Sequence, residues 1–366
     1  MRDLIAAVFA VVGTVSIWFN FLAYNAIASI ILTRSSLHLG LLSSFITIFV
    51  AFIARPLGAY VFGVIGDKFS SKTSLVLTLT AMGLSTLLIS MVTRAWYTVY
   101  ELLMLRIIQG MALGGEWAAA SVLAYETIRG DVGRLLTSII QLGVPLGMLL
   151  TTLAVIQWRL AFLTGSLLSL SSAAIILALA RGVRPIEWRP TLSIEDFKRI
   201  LKAVGIKFGE SSSFYVYTSV FLIYVNEHEI PSLITVAATS LLAFTLLTSI
   251  VLTRADPARV LIIGYVLFIL VNALMFRIQP LILFILFGLA DAIAYTPQSL
   301  YLVSLFRSDI RHVGAGVSYH VASSLGGLMT YIIPLLISMY GLRIGFTAIP
   351  ALLVVSCIVS IIALMI

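Results

Sequence analysis

Two ionisable side chains lie near the middle of long apolar stretches of this chain, and their types suggest a chemistry. Arg106 lies in one such stretch and Asp291 in another. A charge at the centre of a bilayer costs on the order of 3 kcal/mol on insertion scales, so a residue of this kind is a candidate site. A guanidinium can hold a carboxylate through two parallel hydrogen bonds. A carboxyl group in an apolar setting can take up and release a proton. The pair predicts anion binding and proton exchange.

Each of the two arginines inside the apolar stretches also has a structural interpretation. Arg106 can form an ion pair within the N-terminal half instead of binding a solute. Arg55 is followed by Pro56, which leaves a backbone carbonyl of the preceding turn without its donor, and the arginine can satisfy that carbonyl or pair with an acid. Arg106 is predicted to anchor a substrate, and for Arg55 the substrate-binding and structural interpretations stay open.

The candidates for proton coupling are Asp291, Glu116 and His320. Asp291 has the alternative of neutralising an arginine, and Glu116 that of packing beside the two glycines that precede it. The unperturbed pKa of histidine suits a proton relay, which makes His320 a candidate, although it can also be a hydrogen-bonded structural residue. Glu101 and Glu210 are placed nearer the ends of their stretches, where contact with water is expected.

The composition sets the elements that must position these residues. Of the 366 residues, 61% are hydrophobic and 10% are charged, against about a quarter charged in a typical soluble domain. Apolar stretches of about 20 residues recur, each long enough to cross a membrane as a helix. The predicted spans are 8–32, 41–65, 73–93, 98–123, 134–156, 160–181, 206–226, 231–252, 259–277, 280–303, 312–339 and 343–366. The predicted fold class is an all-α integral membrane protein with twelve transmembrane helices.

The net charge of +8 is explained by the membrane topology. With both termini in the cytoplasm, most lysines and arginines fall in the inner loops, as the positive-inside rule requires. The outer loops keep a few, such as Arg34 and Arg94. We therefore expect a multi-pass protein of the cell membrane, embedded in the lipid bilayer, and no binding of nucleic acid.

The chain is predicted to contain two six-helix halves, because a polar linker divides it and matched loops recur. The N-terminal bundle is placed at 1–181, the cytoplasmic linker at 182–205 and the C-terminal bundle at 206–366. The second part of the linker, 193–202, has a capping-box start (Ser193, Asp196) and suits a short amphipathic helix on the cytoplasmic surface, although a basic linker that lies against anionic headgroups is the favoured interpretation. Short basic loops containing an aspartate follow spans 2 and 8, and again spans 4 and 10. A parallel repeat of this kind is typical of rocking transporters with a site near the midplane.

Several local strings carry a resemblance to a known family. They are "RPLGAYVFGVIGDKFSSK" (55–72), "RIIQGMALGGEW" (106–117), "WFNFLAY" (18–24), "WRLAF" (158–162) and "TPQSLYLVSLFRSDIRHVGAGVSY" (296–319). The loop after span 2 resembles the signature of the major facilitator superfamily. The longer strings resemble its metabolite:proton symporter branch. The resemblance covers most of the first half and spans 10 and 11.

The resemblance implies secondary transport of a small organic solute, driven by protons. In that branch the solutes are carboxylates, or zwitterions such as proline and betaine. Spans 1, 4, 7 and 10 line the cavity in this fold, which adds four residues to the predicted substrate-binding set of Arg106 and Arg55. They are Asn20, Tyr24, Tyr215 and Gln298. The resemblance implies no cofactor and a monomer.

The string at 55–72 is also predicted to form a conformational gate on the cytoplasmic side. Its glycines would let span 2 pack closely against a partner helix, and the resemblance to the superfamily implies that this partner is span 11. The carboxylate of Asp67 would face the positive end of that helix, and Lys68 and Lys72 would keep the loop inside. The glycines concerned are Gly58, Gly63 and Gly66.

The chain departs from the branch at three places, which keeps other functions open. It has Asn20 where an acidic residue is usual, Ser70 and Ser71 where the loop usually has Gly-Arg, and Val303-Ser304 where a glutamate is frequent. A uniporter or exporter of similar solutes is therefore an alternative, as is a membrane sensor that binds a solute without moving it. An enzyme is not expected, because no metal-ligand spacing, phosphate-binding loop or nucleophile triad occurs.

Overall fold

The computed structural model describes residues 2–33, 40–92, 98–181 and 192–366, and all regular elements within these ranges are helical. The helices of the first part are α1 (Arg2–Thr33), α2 (Gly40–Lys68), α3 (Ser71–Met91), α4 (Thr98–Thr127), α5 (Gly130–Ile139), α6 (Gly143–Ile156) and α7 (Trp158–Leu179). A short 3-10 turn, Ile140–Leu142, joins α5 to α6, and these two helices together form the predicted fifth span.

The second part contains seven further helices. They are α8 (Ile194–Tyr215), α9 (Ile230–Val251), α10 (Pro257–Leu274), α11 (Pro280–Tyr295), α12 (Gln298–Ser304), α13 (Arg311–Tyr340) and α14 (Gly345–Met365). The predicted tenth span is divided into α11 and α12, and the division falls where Pro297 lacks the N–H that would continue α11.

Eleven helical segments in the described ranges are long and apolar enough to cross a membrane. They correspond to all the predicted spans except the seventh, 206–226. That stretch is also helical, but its helix α8 carries Lys207 and Glu210 within it. The predicted fold class, an all-α membrane protein of about twelve spans, is confirmed.

The helix with a capping-box start at Ser193 is present, but it is not a short separate helix, because α8 runs without a break from Ile194 to Tyr215. Its start is a capping box: the Ser193 hydroxyl accepts the N–H of Asp196 at 3.1 Å, and the Asp196 carboxylate accepts the N–H of Ser193 at 3.0 Å. A capped start of this kind favours helix propagation, and nothing in the following residues breaks it. The first part of the predicted linker, 182–191, and the arginines Arg34 and Arg94 lie outside the described residues.

After Tyr215 the chain leaves α-helical geometry without leaving the span. A π-helical turn, Val216–Val220, is followed by a 3-10 turn, Phe221–Tyr224. The turn places Tyr217 in a stack of rings, 4.6 Å from Phe287 and 5.9 Å from Phe221 between centroids. Stacked and edge contacts of this kind stabilise a buried aromatic cluster.

The chain forms two compact units. The domain boundaries predicted at 181 and 206 stay a prediction. The first unit is Met1–Thr191 with Phe306–Val317, and the second is Leu192–Leu305 with Ser318–Ile366. In the first, α2 packs against α4, α3 against α7, and α1 against α6 and α7. In the second, α8 packs against α14, α9 against α11, and α10 against both α11 and α14.

Candidate functional site

Arg106 of α4 is fully buried in the first unit and makes all its described hydrogen bonds to neutral oxygens. Its Nη1 donates to Gln109 Oε1 and its Nη2 to Asn25 Oδ1, both at 2.8 Å, and its Nε donates to the Thr47 carbonyl at 3.4 Å. Among the described residues, no carboxylate forms a salt bridge with it. The alternative of an ion pair in this half is therefore not supported within those residues, among which the buried cation Arg106 has no anionic partner.

Aromatic rings of α1 lie against the same guanidinium. Its carbon is 4.2 Å from the centroid of the Tyr24 ring and 4.6 Å from that of Phe21. Cation–π contacts of this length stabilise a desolvated guanidinium by about 2 kcal/mol. They offset part of the cost of burial and leave the guanidinium charge available to an anion.

Arg55 of α2 is buried as well, with 1% of its surface exposed, and it shares one of these two rings, that of Phe21. Its guanidinium carbon is 5.3 Å from the Phe52 ring, 5.6 Å from Trp18 and 5.8 Å from Phe21. Phe21 thus contacts both arginines. We call Arg55, Arg106, Phe21 and Tyr24 the arginine cluster.

Asn20 joins α1 to α7, a role that differs from the predicted substrate contact without excluding it. Its amide nitrogen donates to the Gly165 carbonyl and to the Ser169 hydroxyl, both at 3.1 Å. A Cβ on Gly165 would collide with the Asn20 side chain. The amide therefore fits a close helix contact at this position, in which its NH2 group donates twice.

Glu116 of α4 faces α1, where the hydroxyl of Thr14 donates to its Oε1. It is fully buried, and its Oε2 has no hydrogen-bond partner among the described residues. The preceding Gly114 and Gly115 are the close-packing positions: a Cβ there would collide with the backbone of Arg55 and with Phe62, both on α2. Packing is thus carried by the glycines, and the carboxyl group of Glu116 stays a candidate for proton exchange.

The second unit contains a buried lysine, Lys207 of α8, surrounded by polar and aromatic groups. Its ammonium donates to the Glu210 carboxylate and, at 3.0 Å, to Gln298 Oε1 of α12. The same nitrogen lies 3.9 Å from the centroid of the Tyr319 ring and 5.2 Å from that of Tyr295. Gln298, predicted as a substrate residue, is therefore a direct partner of Lys207.

Asp291 of α11 completes this group, which we call the lysine cluster: Lys207, Glu210, Asp291, Gln298, Tyr295 and Tyr319. Asp291 is fully buried, and neither of its carboxylate oxygens has a hydrogen-bond partner among the described residues. It interacts electrostatically with Glu210 and Lys207. The alternative that it neutralises an arginine is not supported within the described residues, since the cation in its range is Lys207.

The expectation that Glu210 contacts water is wrong, and Lys207 is buried beside it. Their side chains are 5% and 2% exposed. Because α8 begins at Ile194, well before the predicted start of the span, Glu210 lies about 24 Å along the helix at about 1.5 Å per residue. The available signal was a lysine and a glutamate three residues apart, a spacing that lets them pair on one helix face.

The remaining predicted residues lie around these clusters. His320 of α13 is fully buried, with its ring 5.0 Å from that of Tyr319. Tyr215, the last residue of α8, is half-buried with its ring edge-on to that of Phe214. Tyr217, in the π-helical turn that follows, is fully buried. Sequence reasoning missed Asn25 and Gln109, which contact Arg106. Gln109 follows Arg106 by three residues, which was the signal available for it.

The predicted contact between Asp67 and the start of span 11 is present in the first unit. Asp67 Oδ1 accepts the backbone N–H of His312 at 2.8 Å, and Oδ2 accepts that of Val313 at 3.0 Å. The His312 ring lies 2.8 Å from Asp67 through Nδ1 and 2.9 Å from the Ser71 hydroxyl through Nε2. Ser71 is one of the residues that depart from the family loop, so this departure has a structural role.

The other members of the predicted gate divide between two partners. A Cβ on Gly63 would lie 2.9 Å from the Val313 backbone, and one on Gly66 would lie 2.6 Å from the His312 ring. Gly58, expected to pack on span 11, packs on α4 instead, since a Cβ there would collide with the Met111 backbone. Lys68 is exposed and Lys72 is half-buried, and the cytoplasmic position of this loop stays a prediction.

Comparisons with known proteins agree with this fold. Residues 10–331 match the family model described as Major Facilitator Superfamily. The chain is 28% identical to the "Shikimate transporter" of Escherichia coli (strain K12), over 89% of this chain and 85% of that protein. It is 27% identical to the "Inner membrane metabolite transport protein YhjE" of the same strain, over 91% and 88%. The crystal structure of the human organic anion transporter MFSD10 (TETRAN) has the same fold, with a TM-score of 0.76, 12% identity and coverage of 98% and 99%.

Proposed function

Because the chain belongs to the major facilitator superfamily, we propose that it carries a small organic solute bearing a carboxylate across the cell membrane by alternating access, coupled to protons. A zwitterion such as proline or betaine satisfies the same proposal, since it also presents a carboxylate. The similarity to a shikimate transporter supports a carboxylate. We further propose that the protein acts as a monomer with both termini in the cytoplasm, and that it performs no enzymatic step.

The observation that carries the proposal is the buried guanidinium of Arg106, whose hydrogen bonds within the described part of the chain all go to neutral oxygens. A guanidinium without a carboxylate partner gains most from an anion that arrives from solution, because charge-assisted hydrogen bonds are about twice as strong as neutral ones. The amide side chains of Asn25 and Gln109 hold the group in place. A solute carboxylate would replace one of these amide oxygens at the guanidinium.

The other predicted substrate residues divide between the two clusters. Tyr24 and Arg55 belong to the arginine cluster, and Gln298 belongs to the lysine cluster. Asn20 and Tyr215 are proposed as further contacts, with Asn20 also joining α1 to α7.

For the coupling proton, Asp291 is the first candidate, because it is fully buried with both oxygens unpartnered among the described residues. A carboxyl group in such surroundings is stable in its neutral form and must pair with a cation when it ionises. Glu116 and His320 are further candidates, since both are buried. Gly63, Gly66, Asp67, Lys68 and Lys72 are proposed to form a cytoplasmic gate that loosens during the transport cycle.

A uniporter or exporter of similar solutes is the second candidate function. Asn20 favours it, because an amide that cannot release a proton stands where the symporter branch usually has an acid. A sensor that binds a solute without moving it is a third, and it would show binding in the absence of uptake.

Uptake into proteoliposomes tests these functions directly. We would compare shikimate, succinate, proline and betaine, each with an inward proton gradient, without a gradient and with a protonophore. Uptake of an anion that rises with the gradient is expected. Uptake that ignores both gradient and protonophore would refute proton coupling and favour the uniporter, and binding without uptake would favour the sensor.

A further inference from the structure

The charges of the lysine cluster do not balance when all its groups are ionised. Lys207 supplies a single positive charge, whereas Glu210 and Asp291 can supply two negative ones, and all three side chains are buried. An uncompensated charge away from water costs several kcal/mol or more. The cluster is therefore neutral only when the two carboxyl groups share a single proton.

The other titratable groups around these carboxyls come from four helices. They are Tyr265 of α10, Tyr295 of α11, Tyr319 and the adjacent His320 of α13, and Cys357 of α14. By their reference values the tyrosines and the cysteine are uncharged at neutral pH, and histidine is largely so. The charge balance among these described groups thus rests on the lysine and the two acids.

The Glu210 carboxylate occupies a site that is built to hold a carboxylate oxygen. Its Oε2 accepts from Lys207 Nζ, from Gln298 Nε2 at 3.3 Å and from the Ser211 hydroxyl at 3.4 Å. Three donors from α8 and α12 therefore converge on one oxygen. The Tyr319 ring contacts the Lys207 ammonium, with 3.9 Å between Nζ and the ring centroid. Asp291, in the same electrostatic field, has none of these donors.

We propose that Lys207, Gln298 and Ser211 form a second carboxylate-binding site, which Glu210 occupies while no solute is bound there, and that the Glu210–Asp291 pair takes up a proton when a solute carboxylate replaces Glu210. The choice of a carboxylate as ligand rests on the proposed function. The site itself rests on the geometry of the second unit.

Proton uptake follows from keeping the cluster neutral. Without solute, Lys207 is balanced by one ionised carboxyl and the other carries the proton. With a solute carboxylate at Lys207, neutrality requires both carboxyls to be protonated, so one proton enters with each solute carboxylate. If either acid is replaced by its amide, the remaining acid pairs with Lys207 and holds no proton in the resting state.

This last point gives a test that needs no ligand. Infrared spectra of the full-length protein in nanodiscs at neutral pH would report the carbonyl stretch of protonated carboxyl groups for wild type, Glu210→Gln and Asp291→Asn. Each substitution keeps the size of its side chain, so the variants are expected to fold. The carbonyl band of the proton shared by Glu210 and Asp291 should be present in wild type and absent from both variants.

Glu116→Gln is the matched control, because Glu116 is a buried acid of the first unit. It can remove at most a band of its own, and the band assigned to the Glu210–Asp291 pair should persist in it. A pair band that survives Glu210→Gln but not Asp291→Asn would assign the proton to Asp291 alone and overturn the sharing of a proton. Absence of the band from wild type would overturn it as well.

The binding site is tested by acetate, used as a probe in place of the Glu210 carboxylate. Glu210→Ala opens a space beside Lys207, and acetate should raise the melting temperature of this variant by several degrees relative to chloride at equal ionic strength, since a ligand that binds only the folded state stabilises it. Glu210→Ala/Lys207→Met should show no such rise.

Equal effects of acetate on these two variants, or none on either, would overturn the carboxylate site. If Glu210→Ala does not yield folded protein, the infrared test still decides the sharing of the proton. Failure of the transport proposal is distinguishable from both results, because it would appear as absent uptake for every anion with the infrared bands as predicted.

Discussion

The carboxylate of Asp67, at the end of α2, accepts two backbone N–H groups in the first turn of α13. They belong to His312, at 2.8 Å, and to Val313, at 3.0 Å. The first N–H groups of a helix have no partner within the helix, and the positive end of its dipole favours a negative charge. Asp67 thus supplies hydrogen-bond acceptors to the N–H groups at the start of α13, although it lies far from them in the sequence.

Asp67→Asn should lower the stability of the protein. The amide has nearly the same shape, but its single oxygen can replace only one of the two carboxylate acceptors and it carries no charge. We expect a loss of about 1–2 kcal/mol, measured as a lower melting temperature in nanodiscs. Asp131→Asn is the control, since Asp131 is exposed in the first turn of α5. A loss of the same size there would contradict the assignment.

Replacing Arg106 should reduce the uptake of a carboxylate solute. Arg106→Gln removes charge-assisted hydrogen bonds worth about 1.5–3 kcal/mol, which corresponds to a decrease of about 10- to 100-fold in uptake rate at low solute concentration. Arg106→Lys should retain part of the rate, because an ammonium keeps the charge without the bidentate geometry.

The control for Arg106 is Arg159→Gln, because Arg159 is exposed at the start of α7. It should leave uptake nearly unchanged. Initial rates into proteoliposomes would be compared at equal amounts of reconstituted protein. Full uptake by Arg106→Gln would remove Arg106 from the site.

Gly58→Val should disrupt the contact between α2 and α4. A Cβ at this position collides with the Met111 backbone, which cannot rotate away as a side chain can. We expect a loss of about 1–3 kcal/mol, seen as a lower melting temperature and a lower yield of monodisperse protein. Gly316→Ala is the milder comparison, because the nearest atom to its Cβ would be Ala118 Cβ at 3.1 Å. A smaller effect of Gly58→Val than of Gly316→Ala would show that the contact is not tight.

Ser193→Ala should weaken the start of α8. It removes the hydroxyl that accepts the Asp196 N–H at 3.1 Å, and loss of a helix cap costs about 1 kcal/mol. Faster amide hydrogen exchange in the first turn of α8 would report it. Ser232→Ala, at an exposed serine of α9, should leave α8 unchanged, and equal exchange in both variants would count against the capping box.

The spans and the contact of Asp67 were predictable for two different reasons. Apolar length decides whether a stretch can cross a membrane, and this is a local property. The contact between Asp67 and α13 joins distant parts of the chain, and it was expected from the resemblance of the string "GDKFSSK" to the loop of a known family.

The lysine cluster was only partly predictable, because its members come from several helices. Glu210 was placed near the end of a span, where contact with water was expected, whereas Lys207 and Glu210 are both buried and contact Gln298 of α12. The rings around Arg55 come from α1 and α2, and no spacing within one helix could have shown that they meet. Asp291 was singled out correctly as a buried acid and Gln298 was already a candidate, while Lys207 was not.

The π-helical turn at Val216–Val220 accommodates one residue more than an α-helical turn does. Because the extra residue is taken up within one turn, the segments on either side keep nearly the same phase. Deleting a residue there would restore an α-helical turn and move the residues inside it, including Tyr217, whose ring stacks on that of Phe287. The half of α8 that carries Lys207 would keep its orientation, so the extra residue serves the aromatic packing and not the buried charges.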